Sequence, residues 1–125
     1  MNKEVLIGKS EPKDILITPK NGTLISEINN SIVVNKAVIL HDVETVDKDT
    51  GETTTYDTMI LITDNGLVRV PNKVAIETVK KFIVECAETG YECTSITIKP
   101  IEVKSDSGNK YIDIIIEDFT YTELI

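Results

Sequence analysis

One histidine, two cysteines and an aromatic content of 5% over 125 residues leave this chain short of the groups from which most enzymes and metal sites are built. His41 stands alone, and Cys86 and Cys93 are not spaced as Cys-x-x-Cys, so a protein-ligated zinc site lacks a set of ligands. There is no P-loop and no Gly-x-Gly-x-x-Gly. Asp47, Asp49 and Glu52 crowd one stretch but lack the full spacing and terminal bidentate glutamate of an EF-hand, so they read as a solvated acidic turn. No catalytic residue, cofactor or metal is expected, and nothing selects a carboxylate pair for acid–base work. No run approaches the ~20 apolar residues of a membrane-spanning helix, and the stretch Met1–Glu11 lacks a signal peptide's apolar core. The expectation is a cytoplasmic protein outside the membrane, its cysteines reduced thiols and Cys86 a small core residue.

Positive charge is scarce as well. Thirteen basic residues against 21 acidic ones give a formal net charge of −8, which argues against a surface that attracts polyanions everywhere but leaves room for a local basic groove. The same acidity fits plain solubility, or an inhibitor that mimics nucleic acid.

What the chain does contain is one clear helix set among strands. From Asn72 to Gly90, Ala75, Ile76, Val79, Phe82, Ile83, Cys86 and Ala87 recur at three- and four-residue steps, and Glu77, Lys81, Glu85 and Glu88 take the other side. Asn72 is placed to cap the first turn with its side chain, and Gly90 to end the helix in the left-handed region. With 41% hydrophobic residues, one domain with one core is expected. It spans residues 15 to 125, behind a segment 1 to 14 that either adds an edge strand through Val5, Leu6 and Ile7 or stays mobile.

Ile15 to Thr18 and Thr23 to Ser26 read as a small extra hairpin about Pro19-Lys20-Asn21-Gly22. Strands are expected at Ile32 to Val46, Thr53 to Thr63 and Leu67 to Val70, with Asp64-Asn65-Gly66 as a turn and Pro71 as the stop before the helix. After the helix, Thr94 to Val103 and Tyr111 to Asp118 form another hairpin, with Ile112, Ile114 and Ile116 facing inward and Ile96 and Ile98 matching them. Three strands, a helix and two strands, with a long first strand able to bend, is the order of a five-stranded oligonucleotide-binding (OB) barrel plugged by its helix.

Over roughly residues 23 to 118 the chain resembles the small single-stranded DNA-binding proteins of tailed phages that replicate linear genomes by protein priming. The pieces that carry the resemblance are the threonine-rich strand running into Asp64-Asn65-Gly66, the helix after it, and the late hairpin with Gly108-Asn109-Lys110-Tyr111. It implies an OB-like barrel that coats displaced single strands during phage DNA replication. Such proteins carry tyrosines late in the first strand and just after the Asp-Gly-type turn; here those places hold His41 and Arg69.

Sequence-tolerant binding of a single strand needs flat side chains on which bases stack, at ~1–3 kcal/mol per base, and cations that follow the phosphates. Tyr56 and Arg69 stand on the second and third strands, Lys48, Lys104 and Lys110 in the flanking loops, and Tyr111 at the start of the last strand; Lys36 and His41 complete the candidates. For each tyrosine the competing reading is a ring that covers the rim of the barrel. The different-class alternative for the whole chain is an acidic β-barrel module of a phage or mobile element that binds or inhibits a protein, and a small enzyme is a third reading. At the C-terminus, Phe119 and Tyr121 alternate with Thr120 and Thr122 as in a continuing strand. Glu117, Asp118 and Glu123 before Leu124 and Ile125 also have the character of an acidic tail that recruits replication proteins.

Overall fold

The β-branched run Ile32–Val46 forms strand β3, and the rest of the sheet is laid out from it. Along one edge it pairs antiparallel with β4 (Thr53–Thr63). Along the other it meets two strands in succession, β6 (Tyr91–Lys104) beside Ile32–Val34 and β1 (Asn2–Ile7) beside Ala37–His41. β5 (Gly66–Val70) adds to β4 and β7 (Lys110–Glu123) to β6, both antiparallel, and the two-residue strand β2 (Thr23–Leu24) lies parallel to β5. The computed structural model describes residues 2–124. It is mostly β with one helix: a curled, mixed, seven-stranded sheet in the order β2-β5-β4-β3-β6-β7, with β1 on β3. Seven strands replace the expected five, and among the described residues no ladder joins β7 to β5, so the sheet stays open between its last strand and β2.

The helix α1 (Lys73–Glu88) packs on β6 and β7 and more lightly on β4 and β1. Its buried side chains are Ala75, Ile76, Val79 and Cys86; Phe82 and Ile83 are half-buried, and Ala87 faces solvent. Gly90 ends the helix as expected, at φ 91°. Asn72 occupies the cap position, yet its side chain makes no cap hydrogen bond; only its carbonyl takes part, accepting from the Ile76 amide at 3.0 Å. No helix among the described residues is long and apolar enough to cross a membrane.

Two apolar clusters flank β3 and β4. Inside the curl, Ile39, Met59, Leu61, Val70, Ile96, Ile98 and Ile114 pack under the stripe of α1. On the outer face, Val38, Leu40, Val43 and Ile60 form a second cluster with Ile17. Because both faces are covered, residues 36–40 and 58–61 are buried without interruption instead of alternating.

The outer cover is made by the N-terminal residues, and here one of two alternatives is decided and one expectation changes. Residues 2–7 take the edge-strand form, as β1. The hairpin about Pro19–Gly22 does not form: Pro12–Leu16 and Ile25–Glu27 are 3₁₀ turns, and Thr23–Leu24 pairs with β5. Ile17 enters the outer cluster and Ile25 the inner one, so the segment is drawn over the sheet instead of folding on itself. Gly22, at φ 95°, lies so close to the Leu67 carbonyl that a Cβ would stand 2.8 Å from its oxygen, which ties this crossing to β5. At the other end of the chain β7 continues past Asp118 to Glu123, pairing with Tyr91–Ser95, so the described part of the acidic end is strand. Met1 and Ile125, the outermost residues of the N-terminal segment and of the tail reading, lie outside the described residues.

Candidate nucleic-acid interface

The turn Asp64–Asn65 joins β4 to β5 and sets their register, with Thr63 opposite Gly66 and Ile60 opposite Arg69. Since strand side chains alternate, Tyr56, Thr58, Ile60 and Arg69 share the outer face. Tyr56 is 42% exposed. Tyr56 is among the residues that line an open cleft of about 370 Å³ between β4 and the first turns of α1, with Asp57, Lys73, Ile76 and Glu77. An exposed tyrosine and a lysine on one cleft supply the two residue types that base stacking and phosphate attraction need.

Arg69, four residues further along the ladder, is tucked beneath the Thr18–Asn21 turn. Its Nη1 donates to the Pro19 carbonyl at 3.4 Å, and its Nε is buried without a partner. Arg69 and Tyr56 therefore stand on one face at two levels, about 13 Å apart at a strand rise of ~3.3 Å per residue.

Two of the weaker candidates are held by carboxylates. Lys36, 7% exposed, reaches through the outer face to bond Asp14 at 2.6 Å, the Lys9 carbonyl at 2.7 Å and Glu11 at 3.1 Å. Burial works against its charge, but the bonds to Asp14 and Glu11 outweigh it and the ammonium is raised above its ordinary value. Reciprocally, the bond from Lys36 and the Glu11 amide hold Asp14 below the usual carboxylate range. Lys36 thus fastens the N-terminal cover, an internal task.

His41 lies at a bulge in β3, where two residues, His41 and Asp42, oppose the single Asp57 of β4. Asp42 adopts φ 55°, and its amide donates to Asp57 at 3.0 Å. The bulge aims the imidazole between Glu4 of β1 at 2.7 Å and Asp57 at 3.1 Å, bridging three strands. The bond to Glu4 first, against a smaller desolvation, and then that to Asp57 raise its pKa above 6.5.

The remaining candidates sit on two hairpin tips at opposite ends of β3. Lys48 is exposed in the β3–β4 loop, whose Asp47 carboxylate accepts the amides of Asp49 and Thr50, a turn that satisfies itself. Lys104, Lys110 and the half-buried Tyr111 end the β6–β7 hairpin beyond the start of β3, with Lys110 against Glu102 at 3.2 Å on the surface. The structure brings Tyr56 together with none of the other candidates. What the sequence reading missed is Lys73, and its signal was present: the residue after Pro71-Asn72 begins the helix beside the end of β5, and β5 returns the chain to β4. Among the described residues Lys48, Lys73 and Lys104 are in no ion pair. Comparison with family models, curated proteins and solved structures finds no match to the chain.

Proposed function

We propose that this chain binds single-stranded DNA without sequence preference, in the manner of an OB-like module of phage-type replication, and performs no chemistry on it. The observation that carries the reading is the exposed Tyr56 sharing an open cleft with Lys73. Bases would stack on Tyr56 while the backbone runs between the hairpin tips that carry Lys48 at one end and Lys104 and Lys110 at the other. The strand connections support it at the level of architecture. β3, β4, β5, α1, β6 and β7 follow the OB order, and the ladders β3–β4, β4–β5, β3–β6 and β6–β7 are four of that fold's five, the closing ladder being the one missing.

The test is binding of an unstructured oligothymidylate against a duplex of equal length. Single strand should bind more tightly, and Tyr56→Ala should weaken it about 5- to 100-fold, the equivalent of one stacked base, with the melting temperature unchanged. Equal retention of duplex and single strand would overturn the reading. A second reading, an acidic protein-binding module, is favoured by one observation: the N-terminal cover lies over the outer face of β4 and over Arg69, where an OB module would hold its ligand. Folded protein that ignores oligothymidylate at low salt would overturn the first reading and favour this one.

A further inference from the structure

Arg69 is a cation without a counter-charge. β5 sets it between Ile60 of β4 and Leu24 of β2, and among the described residues no carboxylate pairs with it. Its Nε is buried and bonds to nothing, and its Nη1 has only the Pro19 carbonyl, at 3.4 Å. A guanidinium drawn out of water in this way leaves a rigid fork of donors unfilled, and an oxyanion that accepts two bonds at once is the shape that fills it. What stands over the fork is the turn of residues 18–21. Its other hydrogen bonds stay within the N-terminal segment: the Asn21 amide donates to the Thr18 carbonyl at 3.2 Å, and the Asn21 side chain to the Leu16 carbonyl at 2.9 Å. Among the described residues, lifting the turn off β5 therefore breaks one hydrogen bond to the sheet, and a stretched one. Beneath it, Arg69 stands on the same outer face as Tyr56.

We propose that Arg69 is a phosphate site beneath a movable cap: a single strand stacked on Tyr56 lifts the turn of residues 18–21, and one phosphodiester of the strand takes the Arg69 fork. This role rests on the DNA-binding reading above, in which the N-terminal cover becomes a gate instead of an obstacle. The phosphate oxygens accept from Nε and a terminal nitrogen in place of the Pro19 carbonyl, so the buried donor gains a partner and the guanidinium its counter-charge. The span fits. The ~13 Å between the levels of Tyr56 and Arg69 corresponds to about four nucleotides at the ~3.4 Å spacing of a stacked strand, and to fewer in an extended one. Gly22, at φ 95° and pressed on the Leu67 carbonyl, anchors one end of the turn. Ile17, buried in the outer cluster, anchors the other. The cap thus moves as a short loop between fixed points, and the fold beneath it stays closed.

Titration with labelled oligothymidylate compares the whole wild-type chain with Tyr56→Ala, Arg69→Ala, Arg69→Lys and a Pro19→Gly, Asn21→Gly variant that loosens the turn and leaves Tyr56 and Arg69 in place. Arg69→Ala should weaken binding about 3- to 30-fold, a charge-assisted pair less the cost of opening the cap, and Arg69→Lys should fall between because it keeps the charge and loses the fork. Since the guanidinium is unsatisfied in the free protein, its removal should leave the melting temperature unmoved or higher. The loosened turn should bind about 2- to 10-fold tighter, and adding Arg69→Ala should abolish that gain. Trypsin should cut after the exposed Lys20 faster with saturating oligothymidylate than without it. If Tyr56→Ala weakens the complex and Arg69→Ala does not, the capped site is overturned and the DNA reading stands. A lowered melting temperature in Arg69→Ala with unchanged affinity would make the arginine a brace for the turn, and unchanged or slower cutting at Lys20 would show a cap that stays shut; either result overturns the proposal. Oligothymidylate that binds neither wild type nor variant takes the DNA reading down, and the phosphate site with it.

Discussion

A lysine in the middle of a β-branched strand is read from sequence as a solvated cation, and Lys36 shows what that reading cannot see. Its partners Glu11 and Asp14 lie more than twenty positions earlier, in a stretch with no pattern of its own, and only the folding of that stretch across β3 brings them near. Removing Asp14 would leave the buried Lys36 ammonium with Glu11 as its one remaining counter-charge, at a cost below the ~3–5 kcal/mol of a buried charge left wholly unpaired. His41 was legible as a residue and not as a bridge, for the same reason: Glu4 and Asp57 come from strands on either side of β3. Its raised pKa has a consequence for stability. A histidine whose proton is held more tightly in the folded state contributes fully below its unfolded value near 6.5, and loses that contribution as pH rises through the higher folded value. The bridge is half open to water, so about 1 kcal/mol is a fair scale, or roughly 4 °C in melting temperature. Wild type should exceed His41→Gln by about that margin at pH ~6, and the margin should close by pH ~8.5. A margin equal at both pH values would mean that packing, not the ionic bridge, is what His41 supplies.

At the level of elements, the sequence was clearest where one rule acted alone. The stripe of α1, the Asp64–Asn65 turn and the alternation in β7 each rest on a single periodicity or turn preference, and each stands where expected but for Ala87, which leaves the stripe for solvent. The N-terminal hairpin failed because Pro19 and Asn21-Gly22 favour a turn without saying what the flanking pieces pair with; burial of Ile17 and Ile25 in opposite clusters decided that. β7 ends the sheet and carries its own protection. The amides of Ile114 and Phe119 are bonded by the side chains of the preceding Asp113 and Asp118, at 2.7 and 2.8 Å, so two donors are withdrawn from pairing with another chain. Beyond Asp118 the strand holds an aromatic corner: Phe119 meets Phe82 edge-on at 5.1 Å, and Tyr121 meets Tyr91 at 4.9 Å and Phe119 at 5.5 Å. Deleting residues 120–125 removes both contacts of Tyr121, worth ~1–3 kcal/mol together, and strips β6 of its partner over Tyr91–Ser95. Thermal unfolding of the truncated chain should therefore move down by several degrees. An unmoved transition would return the end of the chain to the role of a mobile acidic tail.

For the molecule as a whole, the order of strands and helix was legible because each element carries its own pattern, whereas closure was not, since it depends on whether two distant edges meet. The candidate interface was legible only in part: Tyr56 announces itself as an aromatic residue on a β4 that the threonines mark as a strand, but Lys73 joins it only once the sheet is curled. Charge is the property that belongs to no single element, and it limits what the proposed binding can look like. A chain of net charge −8 repels a polyanion at distances beyond local contact, while the lysines on the proposed path are four: Lys48, Lys73, Lys104 and, through a weak surface pair, Lys110. Four contacts to single-stranded DNA release counterions with a slope of log K against log salt of about −3 at most. Long-range repulsion, strongest when the Debye length reaches ~30 Å near 0.01 M salt, should flatten the slope further at that end. Titrations of oligothymidylate from about 0.02 to 0.3 M salt should thus give a slope between roughly −1 and −3, shallower toward low salt. A slope steeper than about −5 would require more cations along the path than Tyr56 and the two hairpin tips provide, and would move the interface elsewhere on the protein.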